Sequence, residues 1–159
     1  GSDLIYGYGG ADRLQGDLGN DRLFGGRGAD QLDGGAGNDR LFGQAGNDVL
    51  RGGAGADRLD GGAGRDFLHA GVDISRDVFV FASVTDSRPG RQRDIILNFD
   101  SGEDVIDLTA IEGLNDASEI SWSYDGRVSR LSVDLEADGR VDMVIQVNGT
   151  ELANGDILY

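Results

Sequence analysis

The opening stretch of this chain is written in nines. From Gly7 to His69 it reads GYGGADRLQ, GDLGNDRLF, GGRGADQLD, GGAGNDRLF, GQAGNDVLR, GGAGADRLD and GGAGRDFLH, preceded by the partial unit GSDLIY. In all seven full units position 1 is Gly, position 4 is Gly, position 6 is Asp and position 8 is Leu, and Ile5 holds position 8 in the partial unit. The Leu sits in a three-residue x-Leu-x segment, where strand alternation sends it to one face and its neighbours to the other. One Leu per unit cannot support a core, so the units must stack. If two units make one coil, each residue lies over its counterpart 18 positions on, about 4.8 Å away. Leu14, Leu32, Leu50 and Leu68 then form one ladder, and Leu23, Leu41 and Leu59 the facing one. The expected fold is all-β: a right-handed parallel β-roll of nonapeptide repeats, flattened, with glycine-rich turns along both edges. Later segments ISWSY, VSRLSVDL, VDMVIQV and DILY alternate as half-buried strands do, and predict that an antiparallel β-sheet or sandwich cap continues the roll. Trp122 and Tyr124 are expected to help cover its open end.

Glycine marks the division. Of 28 glycines, 20 precede residue 70. Residues 1–70 read as the roll and 71–159 as the cap, together one continuous module. The glycines at position 1 (Gly7, Gly16, Gly25, Gly34, Gly43, Gly52, Gly61) and position 4 (Gly10, Gly19, Gly28, Gly37, Gly46, Gly55, Gly64) are expected to visit positive φ and bring carbonyls close together.

The same stacking places Asp12, Asp30, Asp48 and Asp66 along one edge, and Asp3, Asp21, Asp39 and Asp57 along the other. Carboxylates one strand spacing apart repel unless a cation lies between them. Carboxylates with turn carbonyls form a hard oxygen set suited to Ca²⁺, whereas zinc prefers His or Cys and Mg²⁺ keeps its waters. Stacked pairs give about six structural Ca²⁺, about +12 of charge against a formal net charge of -15. The alternative, that Asp is only a turn former, predicts exchange with Asn, Ser or Gly at position 6. None occurs.

The pattern G-G-x-G-x-D-x-U-x is that of the RTX calcium-binding nonapeptide repeat, which residues Ile5 to Leu68 resemble, departing only where Tyr8, Asp17 and Gln44 replace the second Gly. From Asp77 the chain resembles the segment that closes the β-roll in serralysin-type proteases and in the R-modules of mannuronan epimerases. A D-x-F-x-F strand (Asp77, Phe79, Phe81), a strand ending in F-D (Ile95, Phe99) and an I-D-L-[ST]-A turn (Asp104, Ile106, Asp107, Leu108) carry that likeness. It implies a non-catalytic accessory module of a secreted bacterial enzyme, folding on extracellular Ca²⁺ beside a catalytic module of the same parent chain. The end Asp156-Ile157-Leu158-Tyr159 resembles the signal of proteins exported by a type I ABC exporter, and also reads as an ordinary last strand.

Three further features stay open. Asp100, Glu103, Asp104 and Asp107 are candidates for an extra Ca²⁺, or a solvated turn. Asp134, Glu136, Asp138, Gly139 and Asp142 have near-alternating acidic spacing, but Asp138-Gly139 between apolar strands is also a hairpin signal. Arg22, Arg40 and Arg58 should stack on one outer face beside Phe24 and Phe42. Such a stripe suits an anionic polysaccharide such as alginate through bidentate Arg–carboxylate pairs, or else balances Asp60 and the edge carboxylates.

Composition narrows the classes. With 29 acidic residues against 14 basic ones, all Arg, nucleic acid is an unsuitable partner. No apolar run approaches the ~18 residues that membrane insertion needs, and no cysteine is present for disulfides or zinc. No H-E-x-x-H, G-x-S-x-G or phosphate-binding loop occurs, and His69 falls in the variable ninth column, so the chain is not expected to be an enzyme. Gly1 falls at position 4 of a unit, which suggests a piece of a longer protein that begins in mid-repeat.

Overall fold

The computed structural model describes residues 1–114, 120–135 and 140–159. The repeats give eight strands: β1 (Leu4–Tyr6), β2 (Arg13–Gln15), β3 (Arg22–Arg27), β4 (Gln31–Ala36), β5 (Arg40–Gly46), β6 (Val49–Ala54), β7 (Arg58–Gly64) and β8 (Phe67–His69). The remainder adds β9 (Val78–Val80), β10 (Ile95–Leu97), β11 (Val105–Asp107), β12 (Ile120–Tyr124), β13 (Val128–Val133), β14 (Met143–Asn148) and β15 (Ile157–Leu158). Odd and even repeat strands separate into two sheets, a seven-stranded one ordered β1-β3-β5-β7-β9-β11-β15 and an eight-stranded one ordered β12-β13-β14-β10-β8-β6-β4-β2.

Within the repeats the register steps by 18, as the period requires. Ile5, Leu23, Leu41 and Leu59 are parallel partners in one sheet, and Leu14, Leu32, Leu50 and Leu68 in the other. Every position-8 Leu is buried. Full burial of a Leu stabilises by about 1.5–3 kcal/mol, so the two columns form the spine of the core.

The β-roll with its cap is present, and the cap proves to be largely a continuation of the roll. Leu59 is followed in its column by Phe79, Ile106 and Ile157, all in parallel register. Leu68 is followed by Ile96 and Val147. Only β12, β13 and β14 pair antiparallel, which makes the second sheet mixed. The reason is geometric: a strand laid against the last coil inherits its open hydrogen-bonding edge and its interior column. Where Ser129 enters that column opposite Val147, its hydroxyl donates to the Thr150 carbonyl (2.7 Å) and accepts from the Leu152 N–H (3.2 Å). Trp122 and Tyr124 lie on the edge strand β12 and remain 36% and 38% exposed. Glu136, Asp138 and Gly139 lie outside the described residues. The strands on either side pair antiparallel, and Asp142 accepts the Leu135 N–H at 3.0 Å.

The glycines divide their work differently from expectation. All seven position-4 glycines adopt φ between +117° and +157°, whereas the position-1 glycines keep ordinary φ and are required for space alone. Positive φ recurs instead at position 2, where Tyr8, Asp17 and Gln44 are forced to +70°, +67° and +76°. A side chain in this region costs roughly 1–2 kcal/mol. Gln44→Gly is therefore expected to stabilise the calcium-loaded protein by about 1 kcal/mol, raising its thermal midpoint by about 2–4 °C. A midpoint that stays level or falls in a melting curve would show that the turn is not strained.

Candidate metal centre

Each repeat Asp closes a tight turn and enters the next short strand, so stacking at fixed register aligns the carboxylates. In every coil, Oδ1 of the Asp accepts the backbone N–H of the Asp in the coil before it. The pairs on one edge are Asp3→Asp21, Asp21→Asp39 and Asp39→Asp57, at 2.6–2.8 Å. On the other edge they are Asp12→Asp30, Asp30→Asp48 and Asp48→Asp66, at 2.7–2.8 Å. The Asp carbonyl meanwhile accepts an N–H from the coil after, as in Arg22 to Asp3 and Gln31 to Asp12, both 2.9 Å. One residue thus ties three successive coils.

The second carboxylate oxygen is the chemically telling one. Oδ2 of Asp12, Asp21, Asp30, Asp39, Asp48, Asp57 and Asp66 is buried with no hydrogen-bond partner. Each crowds the α-carbon of the position-1 glycine five residues earlier. At six of these glycines a main-chain oxygen of the following coil crowds the same point: Gly25 O at Gly7, Gly34 O at Gly16, Gly43 O at Gly25, Gly52 O at Gly34, Gly61 O at Gly43 and Ala70 O at Gly52. A Cβ there would collide with both oxygens, which is why position 1 must be glycine. Buried polar atoms ordinarily find partners, and an unpaired buried carboxylate is costly. Paired carboxylate and carbonyl oxygens lacking donors fit a hard divalent cation such as Ca²⁺. Among the described residues no three His, Cys, Asp or Glu side chains converge on one point, so an ion here would draw on carboxylates and main-chain oxygens together.

Electrostatics agree. Burial, opposed by the N–H bond from the preceding coil and reinforced by neighbouring carboxylates, pushes Asp48 up to about 6 and Asp57 and Asp66 up to about 7. Asp39 is raised for the same reasons. A carboxyl whose folded pKa exceeds its unfolded 3.8 favours the fold when protonated. The metal-free fold therefore loses stability as pH climbs from about 4 through about 7. A cation held by these oxygens would have to compete with protons for them.

The ladder continues where no nonapeptide exists. Asp77 accepts the Asp57 N–H at 2.8 Å, Asp104 the Asp77 N–H at 2.9 Å, and Asp94 the Asp66 N–H at 2.7 Å. Steps of 20, 27 and 28 residues replace the regular 18, so periodicity alone does not find them. The D-x-F-x-F strand was the available signal for Asp77. For Asp94 the sequence carried none.

Of Asp100, Glu103, Asp104 and Asp107, the candidates for an extra ion or a solvated turn, Asp104 and Asp107 make separate contacts. Asp104 belongs to the ladder, and its Oδ2 accepts the Asp100 N–H at 2.9 Å. Asp107 instead meets the Arg58 guanidinium at 3.3 Å and the Thr109 hydroxyl at 2.6 Å. Arg22, Arg40 and Arg58 do stack in register, with Phe24 beside Phe42. Their rings lie 4.7 Å apart at 6°, and Tyr6 extends the stack at 4.9 Å. The cleft beside the arginines is lined by Asp21, Asp39 and Asp57 as well. At the chain end, Asp156 is buried, accepting from Ser101 Oγ (2.7 Å), Gly102 N (2.9 Å) and Ala153 N (2.8 Å). Ile157 pairs with Ile106, while Leu158 and Tyr159 are exposed.

Comparison with known proteins agrees with this geometry. Residues 1–32 and 33–68 match the RTX calcium-binding nonapeptide repeat (four copies), and this part of the chain consists of that family's repeats. Among solved structures it is similar to the AlgE6R2 subunit of the Azotobacter vinelandii mannuronan C5-epimerase, at 28% identity. That match covers 100% of this chain and 92% of the other, with a TM-score of 0.51. The AlgE6R3 subunit of the same enzyme is 33% identical over 94% of this chain and 80% of its own, with a TM-score of 0.36. No curated protein sequence matches.

If protons can stand in for the cation, chelated protein should gain β-structure by circular dichroism when pH is lowered from 7.5 to about 5, and calcium-loaded protein should not. Loss of structure on acidification of the chelated chain would refute the electrostatic account.

Proposed function

We propose that this chain is a non-catalytic calcium-binding accessory module of a secreted bacterial enzyme, folding when it meets extracellular Ca²⁺ and supporting a catalytic module of the same parent chain. The row of buried, unpartnered Asp oxygens carries the reading. Without a cation, an acidic, glycine-rich chain must bring these carboxylates together and also give up much backbone entropy. With it, binding free energy becomes folding free energy. Extracellular calcium modules commonly bind with Kd on the order of 10⁻⁴–10⁻³ M, so folding would follow the step from a calcium-poor to a calcium-rich compartment. The six carboxylate–carbonyl cradles support a count of about six ions, held by Asp3, Asp12, Asp21, Asp30, Asp39, Asp48, Asp57 and Asp66 with the turn carbonyls. Residues 1–70 would form the ion-binding part and 71–159 the cap. Asp156, Ile157, Leu158 and Tyr159 would serve a type I exporter while the chain is unfolded and close the sheet once it folds. Neither nucleic acid nor membrane insertion enters this reading.

Circular dichroism of the isolated chain is expected to show a β-rich spectrum in millimolar Ca²⁺ and a largely unfolded one in chelator at pH 7.5. A spectrum indifferent to chelator would end the proposal.

A second reading, compatible with the first, is that the module holds an alginate-like polyuronate for an epimerase-type partner. The registered Arg22, Arg40 and Arg58 column, the Tyr6-Phe24-Phe42 stack and the likeness to an epimerase subunit support it. The mixed-sign cleft and the Arg58–Asp107 contact favour charge balance instead. In affinity electrophoresis through alginate, the calcium-loaded wild type should be retarded and the triple Arg22, Arg40, Arg58→Ala variant released. An unretarded wild type removes this reading.

A further inference from the structure

Past the last repeat, the two edges of the ladder end differently. On the edge that runs through Asp57, Asp77 and Asp104, the final carboxylate is satisfied by protein, since Asp104 Oδ2 accepts the Asp100 N–H at 2.9 Å. On the other edge the final member is Asp94, and its Oδ2 is buried without a partner. Asp66, one coil before, has an equally unpartnered Oδ2. Both residues are 0% exposed.

Asp94 is firmly held. Its Oδ1 takes the Asp66 N–H at 2.7 Å, its own N–H donates to Ser87 Oγ at 2.7 Å, and its carbonyl accepts the Gln146 N–H at 3.0 Å. Ser87 is fixed in turn by donating to the Val144 carbonyl at 2.6 Å. Little protein charge is at hand to neutralise the pair. Asp86 and Asp60 add to the negative potential around Asp66, and Asp86 has its Oδ2 occupied by the N–H groups of Ala82 and Ser83. Arg65 is the nearby cation, and its guanidinium lies over the Phe67 ring, 4.9 Å from the centroid. Burial and the Asp66 charge push Asp94 up to about 9. A proton is therefore the rival occupant.

We infer that a divalent cation, Ca²⁺ by the hardness of its donors, bridges the Asp66 and Asp94 carboxylates one coil beyond the nonapeptide repeats. This rests on the calcium reading of the repeats and extends it to a site that Asp94 completes 28 residues downstream of its partner. It differs from the repeat cradles in chemistry, because Pro89 stands five residues before Asp94 where every repeat has glycine. The ion would therefore join the roll to the segment that follows it.

Asp94→Asn in the full chain keeps the shape and the acceptor for the Asp66 N–H, but removes the charge. Native mass spectrometry at saturating Ca²⁺ should show one ion fewer than wild type, with a lower thermal midpoint in calcium. An unchanged ion count with an equal or higher midpoint would mean that a proton occupies the site, and would overturn the inference. Should the variant not fold, anomalous scattering from wild-type crystals grown with Tb³⁺ decides. A peak between Asp66 and Asp94 is expected. Peaks confined to the repeat rows would overturn this site and leave the calcium reading standing, while their absence everywhere would overturn that reading itself.

Discussion

The structure depends on a divided carboxylate. One oxygen of each repeat Asp from Asp21 to Asp66 makes a hydrogen bond that holds the coil before it, and the other is left buried without a donor. The first is an ordinary stabilising contact, worth about 1.5–3 kcal/mol when the acceptor is charged. The second reverses the sign of the site, because an unpaired buried charge costs more than such a bond returns. The fold is therefore conditional. Its hydrophobic columns are complete and its backbone is paired, yet the edges demand a positive charge from solution.

Much of this was legible in the sequence because nothing but stacking can use a strict period of nine. The Leu columns, the sheet order within the repeats and the alignment of Asp and Arg rows all follow from an 18-residue register. The period also concealed things. Glycine at position 1 and at position 4 looks alike in text, but position 4 needs left-handed φ while position 1 needs only an empty α-carbon between two oxygens. Once the step lengthens to 20 or 28 residues, as at Asp77 and Asp94, a side chain keeps its place in the ladder without keeping its place in the count. The contact of Asp107 was hidden for a related reason: its partner, Arg58, lies 49 residues away, across strands whose adjacency only the assembled sheet reveals.

The outer faces carry a different burden from the edges. Arg22 and Arg40 remain exposed beside a stacked aromatic row, while Arg58 turns to Asp107. Like charges in neighbouring strands are unfavourable, so the row persists because ladder carboxylates line the same cleft. Filling those carboxylates with calcium would strip the arginines of part of their counter-charge.

The direction of the Asp bonds gives the molecule a grain. Each repeat Asp N–H finds its carboxylate acceptor on the coil that comes later in the chain, and the last two, Asp57 and Asp66, find theirs on Asp77 and Asp94. Those acceptors are themselves anchored by the downstream strands, Asp94 through Gln146 and Asp77 through Asp104. Every such Asp acceptor therefore lies downstream of its donor, and the repeats are completed by residues outside them. A fragment cut off after the last repeat would leave the N–H groups of Asp57 and Asp66 without these acceptors.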